Sequence, residues 1–126
     1  MYDELKDNKS LESLSVGGLS LSKLISIGAT CIAEIDGQFF LLVEIEIGPV
    51  EQVIIFRISS TQAAILLRAG VRRCEIVSTI PTSMPGLQVN LICSFIVGQN
   101  VFLVFSIENS VDRLVLVRVP LCTVVG

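Results

Sequence analysis

The sequence has no histidine and no tryptophan, and only 17% of its 126 residues are charged. Without histidine, the side chain that most often acts as a general acid or base near neutral pH is missing. Ser–His–Asp triads and histidine-activated cysteine nucleophiles are therefore excluded. No glycine-rich phosphate loop followed by lysine occurs either. The sequence predicts a protein that is not an enzyme, with no catalytic residues and no cofactor.

Charge of either sign is scarce, while 52% of the residues are hydrophobic and the mean hydropathy is +0.78. This composition excludes intrinsic disorder. The net charge of −3 leaves no basic patch for nucleic acid, so no nucleic-acid partner is expected. No apolar run approaches the ~18 residues of a transmembrane segment. The polar first dozen residues also do not resemble a signal peptide. We expect synthesis in the cytoplasm without a signal peptide, and a final site either there or in an extracellular or spore-surface assembly.

The four cysteines lie far apart and form no Cys-x-x-Cys pair: Cys31, Cys74, Cys93 and Cys122. Zinc ligands usually come in close pairs, so no metal site is predicted. Each cysteine lies in an apolar, strand-like stretch, where a buried thiol packs as a small hydrophobic side chain. The alternative is that all four are candidates for disulfides between copies in an oxidising extracellular assembly.

Two segments of the chain, 31–59 and 92–120, align without a gap at a spacing of 61 residues. Gly37-Gln38 falls on Gly98-Gln99, and Arg57 falls on Arg118. Shared turn residues in one register indicate a structural repeat. The matched arginines are expected at a rim, with the stem on the sheet and the head in water.

Each repeat predicts a three-stranded antiparallel meander. In the first, Asp36-Gly37 is a strong hairpin signal and Gly48-Pro49 is a second turn. These turns divide the repeat into strands at 30–36, 39–47 and 51–58. The second repeat has its turns at 97–100 and 108–110.

A helix is predicted between the repeats, over residues 60–69. Ser59 suits the N-cap, Gln62 completes a capping box, and Gly70 suits the end of the helix. The following segment, 71–80, has the apolar pattern of a single strand, and the prolines and glycine within 81–86 predict a loop.

The first 28 residues are expected to form an arm, and residues 29–126 a β-sandwich domain. Around Gly17-Gly18 the arm alternates apolar and small polar residues, which is the period of a strand. Its predicted assembly contacts are Leu14, Val16, Leu19 and Leu21. The arm could fold back on its own sheet or complete the sheet of a neighbour.

The predicted fold class is all-β. It is a jelly-roll-like antiparallel β-sandwich built from two repeated meanders, with one short helix and a strand-like N-terminal arm. Because strand pairing is non-local, a jelly roll and paired meanders both remain open. Glu44 and Glu46 lie two residues apart, so they share one face of a strand, which we expect to be solvated. Arg72-Arg73 is interpreted as surface charge.

Several predicted strands are apolar on both faces: 39–43, 53–56, 101–105 and 114–117. A monomer exposing so much apolar surface would be prone to aggregate, so the pattern favours self-association. We expect a structural protein, the subunit of a filament, appendage or shell, whose partners are copies of itself. The alternative is a small non-enzymatic binding or adaptor module that forms a discrete oligomer. In general design the chain is similar to subunits of strand-complemented fibres and spore-surface appendages, with which it shares no motif.

Overall fold

The computed structural model describes residues 15–16, 19–20, 25–82, 84–109 and 111–121. Within these residues the chain forms ten strands and one helix. In order they are β1 (Ser15–Val16), β2 (Leu19–Ser20), β3 (Ile25–Ile35), β4 (Gln38–Ile47), β5 (Val50–Ile58), α1 (Ser60–Arg68), β6 (Arg72–Arg73), β7 (Glu75–Val77), β8 (Gln88–Val97), β9 (Asn100–Glu108) and β10 (Arg113–Pro120). The predicted all-β class is confirmed.

Eight of the strands build two four-stranded sheets. Sheet 1 has the order β5-β4-β3-β6, sheet 2 has the order β7-β10-β9-β8, and β1 pairs only with β2. The two predicted antiparallel meanders, β3–β4–β5 and β8–β9–β10, are present, and each lies within a single sheet. The strand order is therefore that of paired meanders.

The segment predicted as one strand over 71–80 divides between the two sheets instead. β6 pairs in parallel with β3, and β7 pairs in parallel with β10, so both sheets are mixed. The crossing takes place at Cys74, whose backbone N–H donates to the carbonyl of Ile32 at 2.8 Å. Local periodicity cannot show such a division, because both halves of the segment are extended.

The main core lies between the inner faces of the two sheets. Sheet 1 contributes Cys31, Ala33, Ile35, Phe40 and Leu42, and sheet 2 contributes Val97, Phe102, Val104, Leu114 and Leu116. Phe95 of β8 packs beside this core, with its ring centroid 5.6 Å from that of Phe40 and 5.5 Å from that of Phe102. Arg118 is exposed and its guanidinium lies 5.4 Å from the centroid of the Phe102 ring, in agreement with the predicted rim position.

Helix α1 covers the outer face of sheet 1. The predicted capping box is present: the Ser59 hydroxyl accepts from the Gln62 N–H, and the Gln62 side chain accepts from the Ser59 N–H. Ala63 and Leu66 of the helix are buried in a second apolar cluster that includes three residues of β3 and β4: Ile32, Leu41 and Val43. This packing explains why β3 and β4 are apolar on both faces. No helix in the described part of the chain is long and apolar enough to cross a membrane.

The first hairpins of the two repeats correspond at a spacing of 62 residues, not 61. Ile35 pairs with Gln38 in one hairpin, and Val97 pairs with Asn100 in the other. The third strands keep the spacing of 61. Val53 and Ile55 of β5 pack against the core, and the residues 61 positions later, Leu114 and Leu116 of β10, belong to it. A shift of one residue exchanges the two faces of a strand. The structure therefore matches Cys31 with Cys93, Phe40 with Phe102, and Glu44 with Ser106.

Candidate functional site

Strand β8 forms one edge of sheet 2 and contains no charged residue in its ten positions. On the inner face of β8, Phe95 packs against the core. On the outer face, Leu91 and Ile96 are 56% and 63% exposed. Cross-strand pairing puts Ile96 beside Val101, which is only half-buried. Leu91 and Ile96 are therefore two exposed apolar side chains on the outer face of this edge, one on each side of the exposed Ser94.

The connection between β7 and β8 covers the part of the outer face of sheet 2 that is formed by β9 and β10. Residues of this connection, including Thr79 and Leu87, line a cavity with Ile107 and Val115. Ile107 and Val115 are buried. Leu91 and Ile96 do not line this cavity, and they are two of the twelve large hydrophobic residues that are exposed in the described part of the chain.

The four cysteines have different surroundings. Cys31 and Cys74 form a disulfide within the chain, which joins β3 to the crossing segment between the sheets. This pairing departs from the expected links between copies, because the parallel β6 strand brings the two residues together. Cys93 is on β8 and has no disulfide partner among the described residues. Cys122 lies outside them.

A cluster of acidic side chains occupies one end of the sandwich. We define the acidic cluster as Glu44, Glu46, Glu51, Glu108 and Asp112. Carboxylate oxygens of Glu44, Glu46 and Asp112 lie within 4.8 Å of one another, as do those of Glu46, Glu51 and Glu108. The cluster bridges the sheets, because its members come from β4 and β5 on one side and from β9 and the β9–β10 turn on the other.

Glu44 corrects the expectation of a solvated acidic face. Its side chain is only 1% exposed, because it lies on the inner face of β4. One carboxylate oxygen accepts a hydrogen bond from the Ala29 N–H at 3.1 Å. The other oxygen, Oε2, is buried without a hydrogen-bond partner among the described residues. Glu46, two residues further along, is half-buried.

Glu51 of β5 lies against Glu108 of β9, and this contact changes the acidity of Glu51. A hydrogen bond from one carboxyl to the other, followed by partial burial and the charges of Glu108, Glu44 and Glu46, raises the pKa of Glu51 to about 7. Glu51 also lies directly opposite Glu46 in the β4–β5 pairing. Like charges at such positions repel, so protonation relieves part of the repulsion at this end of the sandwich.

A cleft of about 560 Å³ lies next to the acidic cluster. Arg72 and Arg73 line one side, and Asp112 and Arg113 line the other. Arg73 is 3.5 Å from the carboxylate of Glu34, and this is the only ion pair among the described residues. The cleft is thus a mixed-charge groove between the two sheets, and the expectation of surface charge at Arg72-Arg73 agrees with the exposure of both residues.

Of the predicted arm, residues 1–28, the structure describes residues 15–16 and 19–20, and residues 25–28, which belong to β3. Ser15 pairs with Ser20 and Val16 pairs with Leu19, so β1 and β2 form a short antiparallel pair. The other two predicted contacts, Leu14 and Leu21, lie outside the described residues.

Sequence reasoning missed both the acidic cluster and the intrachain disulfide. The only local signal for the cluster was the Glu44/Glu46 pair, and alternation alone could not show which face is buried. No protein-family model, curated protein or solved structure matches the chain.

Proposed function

We propose that this protein is a structural subunit that self-associates through the open edge of sheet 2. The observation that supports this proposal is the ten-residue, uncharged edge strand β8. An edge strand exposes unpaired backbone N–H and C=O groups, which readily pair with another strand. Natural proteins usually protect such edges with charge, proline or short length.

The other edges of the two sheets carry these protections. β6 has two residues and β7 has three, so neither provides a long ladder. β5 is long, but it carries Glu51 and Arg57. β8 has no such protection apart from a bulge near Ile92, where its register with β9 shifts. The edge most suited to strand addition is therefore β8.

The occupant of this edge that we propose is a second copy of the chain. Antiparallel pairing of β8 with itself would be two-fold symmetric and would keep the same face of both sheets on one side. It would bring together two uncharged strands, with no charged group to desolvate. Leu91 and Ile96 of both copies would lose exposed area, which is the favourable term in such an association.

The N-terminal arm is the second proposed contact. A single strand pairing gives a small interface, and stable interfaces bury about 800 Å² per partner. Leu14, Val16, Leu19 and Leu21 would supply further apolar contact, either on the same sandwich or on a neighbour. Repetition of both contacts would extend a dimer into a filament, appendage or shell.

Cys93 lies near the centre of β8 and is a candidate for a disulfide between paired copies. Burial raises the pKa of its thiol, so the protonated form predominates at neutral pH and oxidation would be slow. The intrachain disulfide Cys31–Cys74 is compatible with an oxidising final site. This disulfide supports an extracellular or spore-surface assembly over a reducing compartment.

The test is a charge placed on the β8 edge. Ile96→Lys adds an ammonium group at a site that is 63% exposed, so the fold should be retained while edge pairing is opposed. Met84→Lys is the matched control, because Met84 is 60% exposed and lies in the β7–β8 connection. We expect large particles for the parent chain and for Met84→Lys, and monomers for Ile96→Lys, in sedimentation velocity and negative-stain microscopy.

Two results would contradict the proposal. A parent chain that remains a monodisperse monomer would exclude self-assembly, and equal assembly of Ile96→Lys and Met84→Lys would exclude the β8 edge. Removal of residues 1–22 tests the arm separately, with loss of the large particles expected. Gels with and without reductant then show whether Cys93 or Cys122 links the copies.

The alternative function is a binding module, and the cleft between the sheets favours it. Arg72, Arg73 and Arg113 place three guanidinium groups around a groove of about 560 Å³, beside the carboxylate of Asp112. Such a groove suits a ligand that carries both charge signs. A discrete oligomer in every variant, with a ligand whose binding is lost in Arg72→Ala but kept in Arg57→Ala, would favour this function.

A further inference from the structure

The acidic cluster at the end of the sandwich has the chemistry of a cation site. We propose that Glu44, Glu46 and Asp112 bind a divalent cation, with Ca²⁺ as the preferred ion. Their carboxylate oxygens come from β4 and from the β9–β10 turn and lie within 4.8 Å of one another. A bound cation would therefore join sheet 1 to sheet 2.

The first support is the buried, unpartnered oxygen of Glu44. Glu44 is 1% exposed, and its Oε2 has no hydrogen-bond partner among the described residues. A buried carboxylate oxygen that lacks a partner is costly, because the group has lost its hydration without a replacement. A cation held between Glu44, Glu46 and Asp112 would supply that missing partner.

The second support is the backbone that holds Glu44 in place. A β-bulge in β3 sets Gly28 and Ala29 opposite Glu44, where the register with β4 shifts. The Ala29 N–H donates to Glu44 Oε1, and a Cβ at position 28 would collide with the same oxygen. Bulges often redirect groups beside functional sites. Here the bulge leaves space for a buried carboxylate and orients it.

The third support is the lack of a basic partner. The only ion pair among the described residues joins Arg73 to Glu34, which is not part of the acidic cluster. Glu51 and Glu108 lie beside Glu46 and bring two further carboxyl groups to the same place. Several carboxylates so close together repel one another unless protons or cations compensate them.

The ligand set identifies the class of ion. All the donors are carboxylate oxygens, which hard cations prefer, whereas zinc and copper favour histidine and cysteine. Ca²⁺ binds oxygen at about 2.3–2.6 Å, so two ligands on opposite sides of it lie about 4.6–5.2 Å apart. The corresponding span for Mg²⁺ is about 4.0–4.2 Å in a strict octahedron. Three carboxylates from two separate backbone segments, β4 and the β9–β10 turn, suit the larger, less demanding ion.

This proposal does not depend on self-association through β8. The acidic cluster has no residue in β8, so a variant that stays monomeric, such as Ile96→Lys, should still bind the ion. Failure of one proposal is thus distinguishable from failure of the other.

The test is calorimetric titration of the whole chain with CaCl₂, and in parallel with MgCl₂. We expect saturable binding of one Ca²⁺ with a dissociation constant of about 10⁻⁴–10⁻³ M, and weaker binding of Mg²⁺. Asp112→Asn changes an exposed turn residue and should fold normally, and Glu44→Gln keeps the shape of the buried side chain. Each should weaken Ca²⁺ binding at least tenfold.

The matched controls remove the same charge elsewhere. Asp36→Asn and Glu34→Gln lie at or near the β3–β4 turn, outside the acidic cluster, and should leave the Ca²⁺ affinity within twofold of the parent value. The absence of any saturable Ca²⁺ binding up to 10-fold above about 10⁻³ M would overturn the proposal. An equal loss of affinity in the controls would also overturn it, because that result indicates general charge screening.

Discussion

Gly28 and Glu44 should be energetically coupled, because the side chain of one occupies the space beside the other. A Cβ at position 28 would collide with Glu44 Oε1, the oxygen that accepts the Ala29 N–H. Gly28 is not among the glycines with positive φ, so its backbone conformation also suits alanine. Gly28→Ala therefore tests the position of the carboxylate and not the strain of the backbone.

The expected magnitude follows from two opposing effects. Displacing the carboxylate breaks a hydrogen bond to a charged acceptor, which costs about 1.5–3 kcal/mol. Replacing glycine by alanine reduces the conformational entropy of the unfolded chain, which stabilises the folded protein by about 0.4–1 kcal/mol. Gly28→Ala should therefore lower the free energy of unfolding by about 1–2 kcal/mol. In a Glu44→Ala background the collision is gone, so the same change should be neutral or slightly stabilising.

The assay is a double-mutant cycle in urea, followed by far-UV circular dichroism because the chain has no tryptophan. A chelator in the buffer keeps bound cations out of the comparison. We expect a coupling free energy of about 2 kcal/mol between the two positions. If Gly28→Ala costs the same in both backgrounds, to within about 0.5 kcal/mol, the Glu44 carboxylate does not lie against Gly28 and the β3 bulge does not orient it.

Three further predictions concern stability. Because the pKa of Glu51 is raised to about 7, the folded chain holds a proton between about pH 4.5 and about pH 7 that the unfolded chain has lost. The free energy of unfolding should therefore fall as pH rises through this window. The expected fall is about 1 kcal/mol, because water screens the interactions of this partly exposed carboxyl group. Glu51→Gln should flatten that slope in urea titrations, and an unchanged slope would contradict the assignment. Replacing Cys31 and Cys74 together by alanine should cost about 4 kcal/mol for a separation of 43 residues, and a cost that persists when both proteins are reduced would argue against the disulfide. Ser59→Ala should lower the free energy of unfolding by about 1 kcal/mol, and Ser59→Gly should lower it by a few tenths of a kcal/mol. Equal losses in thermal unfolding would indicate that the Ser59 hydroxyl does not stabilise the helix.

The local signals of the sequence predicted the local structure well. Asp36-Gly37 forms the expected hairpin turn, with φ of 51° and 74°, since these residues tolerate positive φ. Ser59 and Gln62 cap the one described helix as predicted, because the capping box needs only residues three positions apart. The two meanders also follow from runs of β-branched and aromatic residues separated by turn residues.

The parallel strands and the disulfide could not be predicted in the same way. Residues 71–80 have the composition of a strand, yet one half belongs to each sheet. The cysteines at 31 and 74 meet only because β6 returns beside β3 after the helix. Neither contact leaves a periodic trace, since both depend on where a distant strand is placed.

The sequence by itself determined the all-β class, the turns, the helix and its cap, and the excess of apolar residues on both faces of several strands. Only the tertiary structure decided which face is inside. Alternation places Glu44 and Glu46 on one face, but burial of Glu44 required the second sheet and the bulge at Gly28. The tertiary structure also showed that α1 covers sheet 1 while β8 stays open at the edge of sheet 2. The physical reason is that a strand's period specifies which residues share a face, whereas burial depends on what packs against that face.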